Sequence, residues 1–86
     1  MTWLHLVRDG GDAWVAALVA HQARGGEHRP TVVLLYAAVP LPVPPGVRVL
    51  TLRSDAEARG GPPTHEAVDA DGLVRLIEDH DRVAVW

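Results

Sequence analysis

The chain has 86 residues, the size of one domain spanning 1–86. Its 48% hydrophobic and 22% charged content describes a globular chain and excludes a disordered one. A mild net charge of −3 argues against non-specific nucleic-acid binding, which needs a basic face, so no direct contact with nucleic acid is expected.

No apolar run reaches the roughly 18–20 residues of a membrane-spanning helix. The first apolar run is short and ends at Arg8-Asp9, without the basic-then-apolar order of an export signal, so the expected compartment is the cytoplasm. All eight basic residues are Arg, and Lys, Asn, Phe and Cys are missing. A GC-rich genome produces such a bias, and a thermophilic host is compatible with it.

Strand and helix signals alternate along the chain. Thr2–Val7 (TWLHLV) reads as a strand buried on both faces, followed by a turn at Arg8–Gly11. A helix is expected over Asp12–Arg24, capped by Asp9 or Asp12 and ended by Gly25-Gly26, with Trp14, Ala17, Leu18 and His21 as its inner face. Thr31–Ala37 (TVVLLYA), entered through Pro30, is the strongest strand. Pro40, Pro42, Pro44 and Pro45 then forbid a regular helix or a central strand.

Val47–Leu52 is the third strand, with Val47, Val49 and Thr51 on one face and Arg48, Leu50 and Leu52 on the other. Ser54-Asp55-Ala56-Glu57 has the spacing of a capping box, so a short helix is expected up to Gly60-Gly61. His65–Val68 is a weak fourth strand. Asp71 is expected to cap a helix from Gly72 to about His80 that buries Leu73, Leu76 and Ile77, and Arg82–Trp86 closes the chain as a strand. This β-α-β-β-α-β-α-β order with apolar strands predicts an α/β fold: a mostly parallel five-stranded sheet between two helical layers.

The tempting sites each have a plainer reading. Asp69-Ala70-Asp71-Gly72 opens like a calcium loop, but the position that should hold a bidentate Glu is His80, inside a predicted helix. A strand end followed by a helix cap accounts for it. His5 in an apolar strand reads as a core histidine with a satisfied hydrogen bond. His21 and His80 lie late in helices, where a positive charge suits the dipole. Gly10-Gly11 sits where phosphate loops occur but lacks both glycine-loop signatures. Asp9, Ser54, Asp55 and His65 face the carboxyl end of the sheet without pairing a nucleophile to a base. No catalytic, cofactor-binding or metal-ligating residue is expected, and the chain is not expected to be an enzyme.

The run Val47–Asp55 (VRVLTLRSD), then Ala58-Arg59-Gly60, then Val68–Trp86 (VDADGLVRLIEDHDRVAVW) with its final tryptophan resembles the DsrH/TusB family of sulfur-relay subunits. Trp3–Val7 is similar to that family's opening strand. The middle departs from it: Tyr36–Val39 stands where the family has an acidic-glycine segment and a helix, and Pro40–Gly46 replaces the rest. Some members carry a reactive cysteine near the first helix, where this chain has Ala16, Ala17 and Ala20.

The resemblance implies a three-layer DsrEFH-like fold. It also implies a hetero-oligomer with DsrE/TusD-like and DsrF/TusC-like subunits and a role in tRNA 2-thiolation (tRNA processing) or sulfur oxidation. Persulfide transfer needs a thiolate, and these residues include no cysteine. The expectation is a non-catalytic subunit; the other reading is a stand-alone binding module of the same fold that associates with itself. In either case Trp86 and the apolar loop residues Pro40, Leu41, Pro42, Val43 and Pro44 are the expected interface, in a hetero-oligomer or in a homodimer of the purified chain.

Overall fold

The computed structural model describes residues 1–8, 13–35, 42–58 and 66–86, with the backbone alone at 13 and 56. In chain order the elements are β1 (Thr2–Val7), α1 (Ala13–Gly25), β2 (Arg29–Leu34), β3 (Arg48–Leu52), α2 (Arg53–Ala58), β4 (Glu66–Val68), α3 (Ala70–Asp79) and β5 (Arg82–Val85). The strands form one five-stranded sheet in the order β4-β3-β2-β1-β5, and every pairing is parallel. The last strand therefore lies beside the first.

Strand alternation sorts the core into two clusters. On one face Val7, Val32 and Leu34 pack with Val15 and Val19 of α1. On the other, Leu4, Leu6, Val33 and Leu50 receive Leu73 and Leu76 of α3. Helices on both faces of a parallel sheet make the three-layer α/β/α arrangement. Both faces of β1 and β2 are buried, which is why their sequences are continuous apolar runs. Among the described residues no helix is long and apolar enough to cross a membrane.

Local chemistry sets the boundaries. Pro30 lies inside β2, a central strand, opposite Trp3 and one residue before the pairing with β3 begins at Thr31↔Arg48. Arg29 and Leu35 donate toward β1, so alternation turns the imide nitrogen of Pro30 toward the side where β3 has not yet started. The missing donor costs no ladder bond. Pro44-Pro45-Gly46-Val47 is a turn closed by Val47 N–H donating to Pro44 O at 3.3 Å, with Gly46 at φ 93°. Pro at the second position and a left-handed Gly at the third are what a type II turn demands. Residues 42–47 form neither helix nor strand, as their prolines dictate.

Several expectations are corrected. The inner face of α1 is Val15, Val19 and Gln22; of the predicted face, Trp14, Ala17 and His21 are exposed and Leu18 is half-buried. Apolar residues run around most of this helix, so more than one stripe fits the period, and tertiary contacts choose between them. The cap of α3 is Asp69, not Asp71: its Oδ1 accepts from Gly72 N at 2.8 Å. The plain reading of Asp69–Gly72 as strand end and helix cap therefore holds. Ile77 is largely exposed, and no residue of α3 is fully buried. α2 starts at Arg53, directly from β3, so Ser54 sits in its first turn and is not its cap. The strong strand is Arg29–Leu34, two residues earlier at its start than predicted.

Truncating the true inner face of α1 separates these alternatives. Val19→Ala should lower unfolding free energy by on the order of 2 kcal/mol, whereas Ala17→Ser should stay within about 0.5 kcal/mol, both read from urea denaturation.

Candidate interaction surface

The side chains that the sequence marks as chemically distinctive converge on the α1 face of the sheet. Trp3 and His5 alternate along β1 and point to that face, and Trp86 follows β5 in register with Val7. Trp86 N donates to Leu6 O at 2.8 Å and Trp86 O accepts from Arg8 N at 3.2 Å, so the parallel ladder runs through this residue. Its indole Nε1 donates to His5 Nδ1 at 3.0 Å, and His5 Nε2 lies 2.8 Å from Gln22 Oε1.

An indole N–H can only donate. His5 Nδ1 is therefore unprotonated, and Nε2 carries the proton that it gives to Gln22. One fully buried neutral imidazole thereby joins β1 to α1 and to the end of β5. The rings extend this link into a row. His5 lies nearly parallel to Trp3 (6.0 Å, 12°) and side by side with Trp86 (6.1 Å, 19°); Trp86 meets Trp14 edge-on at 4.5 Å, and Trp3 meets His28 edge-on at 6.1 Å while donating to its Nδ1.

Trp86 is thus held within its own fold. It also packs against the cluster around Val7 and Val15, as do Val43 and Val47 from the proline loop. Of the other predicted interface residues, Pro42 is exposed and Pro44 half-buried, while Pro40 and Leu41 lie outside the described residues. Gly10, Gly11, Asp9 and His65 also lie outside them, so no convergence with Ser54 and Asp55 at the carboxyl end is described. His5 is the core histidine with satisfied bonds that the sequence predicted. His80 closes α3, with Nδ1 2.6 Å from Leu76 O and Nε2 3.1 Å from Thr31 Oγ1. His21 is exposed.

The opposite face carries a surface that pattern reading did not find. Val83 and Val85 alternate outward from β5 on the side of Leu4 and Leu6, and both are exposed, at 40% and 57%. Val74 and Ile77 of α3 are exposed as well. With Leu73, Leu76 and His80 facing the sheet, the right-handed turn of a helix descending from β4 toward β5 puts Val74 and Ile77 on its β5 flank. These four exposed apolar side chains lie on the α3 side of the sheet, Val83 and Val85 on its outermost strand among the described residues. The signal for this surface was Val83 and Val85 alternating in a strand at the sheet's edge.

The two edges differ. β4 is three residues long, and its Glu66 is gripped by Arg48 through Nε–Oε2 (2.9 Å) and Nη2–Oε1 (2.8 Å). That guanidinium holds the Glu66 carboxyl below its ordinary range. β5 has only Arg82 as a charged residue. Its start is fixed by Asp81, whose Oδ2 accepts from Thr2 N at 2.8 Å and from Thr2 Oγ1 at 3.1 Å. These bonds hold the Asp81 carboxyl below its usual value. Among the described residues no cluster of three or more His, Asp or Glu side chains could hold a metal ion. An open cleft by His28, Arg29 and Gly46 lies at the amino ends of the strands, away from the carboxyl end where α/β folds bind ligands. The chain matches no protein-family model, no curated protein and no solved structure.

Burial lowers the His5 pKa below its ordinary 6.5, against the opposing pull of Gln22. The folded state then binds fewer protons than the unfolded chain as pH falls below 6.5, so stability is full above that value and is lost below it. Trp86→Phe removes the N–H that forbids a proton on Nδ1 while keeping a ring in place. It should cost about 1–3 kcal/mol at neutral pH, and it should flatten the loss of stability below pH 6.5 seen in the parent. Urea midpoints measured across this range check both expectations.

Proposed function

We propose that the chain is a non-catalytic subunit of a sulfur-relay hetero-oligomer, one that supports persulfide transfer by cysteine-bearing DsrE/TusD-like and DsrF/TusC-like partners toward tRNA 2-thiolation or sulfur oxidation. The observation that carries the assembly role is the exposure of Val74, Ile77, Val83 and Val85 on the α3 side, with β5 the outermost strand among the described residues. Small domains bury a modest share of their surface, and several large apolar side chains left exposed on one side of the sheet favour an interaction role. The relay itself rests on the resemblance of Val47–Trp86 to the DsrH/TusB pattern and on the parallel sheet with β5 beside β1 that this pattern implies.

The missing thiol divides the labour. A persulfide is carried on a cysteine sulfur, and these residues include none. Any sulfur-bearing group belongs to a partner, and this chain contributes a rigid surface against which that partner is held. The parallel sheet suits such a role, because its central strands are locked on both faces while its β5 edge is open. A stand-alone self-associating module of the same fold is the second reading, favoured by the self-complementary pattern of that edge.

Co-expression with cysteine-bearing DsrE-like and DsrF-like subunits of the same genome tests the proposal. The expected result is a complex that co-elutes in fixed stoichiometry. After incubation with a cysteine desulfurase and labelled donor, the sulfur mass gain should appear on a partner and not on this chain, by intact-mass measurement without reductant. A stable gain of one sulfur on this chain, or its elution apart from those subunits, would overturn the relay reading.

A further inference from the structure

We propose that the β5 edge is a self-pairing surface, and that its partner is a second copy of this chain joined antiparallel about a two-fold axis at Ala84. The backbone sets the geometry. Trp86 uses both its N–H and its C=O on β1. Along a parallel strand every second residue does the same, so Arg82 and Ala84 also face β1, and the N–H and C=O groups of Val83 and Val85 point outward. No described residue bonds them, and β5 is the outermost strand.

An antiparallel neighbour in the register Ala84↔Ala84 meets these groups completely. Val83 of each copy exchanges both hydrogen bonds with Val85 of the other, and no outward group of the strand is left over. The residue on the axis falls at a non-hydrogen-bonded position, where the two chains approach most closely, and alanine is small enough to sit there. On the α3 face Val83 lies beside the other copy's Val85, the apolar cross-strand pairing that stabilises sheets. On the α1 face Arg82 lies opposite the other copy's Trp86, a cation beside an indole. Each contact occurs twice by symmetry, as an isologous interface requires.

Charge supports the same occupant. Natural edges are blunted with lysine, proline, bulges or extreme shortness. β4 carries the Arg48–Glu66 pair, whereas Val83-Ala84-Val85 has no charge, proline or bulge. In the two-fold register the charged residues Asp81 and Arg82 lie at the two ends of the pairing and leave its middle, Val83 to Val85, uncharged. The inference stands apart from the relay reading: a two-fold dimer can exist alone or as the centre of a hetero-oligomer that contains two copies.

Sedimentation equilibrium combined with amide hydrogen exchange tests it. The purified chain should be a dimer at high concentration, with the Val83 and Val85 amides protected and that protection lost on dilution, while the amides facing β1 stay protected. Val85→Pro removes an outward donor and leaves the β1 ladder intact. It should weaken dimerisation at least about ten-fold with an unchanged circular dichroism spectrum. Should that variant fail to fold, Val85→Lys, at a side chain already exposed, sets a cation beside the other copy's Val83 and should weaken the dimer to a similar extent. A chain that is monomeric at millimolar concentration overturns the proposal. So does a dimer whose Val83 and Val85 amides exchange freely, or one that Val85→Lys leaves intact. Protection of these amides only when a different protein is added would also overturn it.

Discussion

The neutral imidazole of His5 is the constraint on which the α1 side of the fold depends. A polar ring buried in a central strand is tolerated only when both nitrogens are satisfied. Here one nitrogen donates to Gln22 of α1 and the other accepts from the Trp86 indole. Each partner fixes something larger. Gln22 sets the rotation of α1, bringing Val15 and Val19 onto Val7 and Val32. Trp86 holds the far end of β5 against β1, while Asp81 and Thr2 hold its start. Such polar networks are unforgiving, because any member left unpaired costs more than a missing apolar contact. That cost makes the arrangement specific.

The two helical layers are therefore held by different physics. α1 is fixed by hydrogen bonds and by a row of rings in addition to its valines. α3 rests on Leu73 and Leu76, with the Asp69 cap at one end and His80 at the other, and none of its residues is fully buried. Elements with few buried contacts open at lower free energy than the global fold. The side of the sheet under α3 is also the side on which β5 shows its valines. Looser packing and uncovered apolar surface thus coincide there, whereas the α1 face is closed.

Much of the fold was legible because the strands are buried on both faces. Apolar runs such as TWLHLV and TVVLL have few other interpretations in a short chain with interspersed helices, and the alternation of Arg48, Leu50 and Leu52 against Val49 and Thr51 assigned the faces of β3 directly. What failed was rotation and capping. In α1, Ala and Val occur on nearly every side, so a periodicity argument weighted Trp14 and missed that Gln22 was needed inside. In α3, Asp69 and Asp71 are both plausible caps, and hydrogen-bond geometry alone chooses Asp69. The aromatic row was readable in principle: Trp3 and His5 share a strand face, and a strand ending in Trp86 beside β1 puts a third ring next to them. A buried histidine needs a partner on each ring nitrogen, and that third ring supplies one of them.

The open edge follows from how the chain uses its charged residues. A parallel sheet cannot close on itself in five strands, so both edges need management. At β4 the chain places Arg48 and Glu66 across adjacent strands, an exposed pair whose main effect is to make that edge polar. At β5 it places its charges at the ends, Asp81 and Arg82 before the valines and Arg8 on the neighbouring strand beyond them. Asp81 is already engaged in holding the strand to Thr2. Charges at the ends cannot repel a strand docking on the middle; they can only set its direction and register. An edge built this way rejects random apolar strands less than it selects an antiparallel one with its own pattern, and that separates an interface from an aggregation hazard.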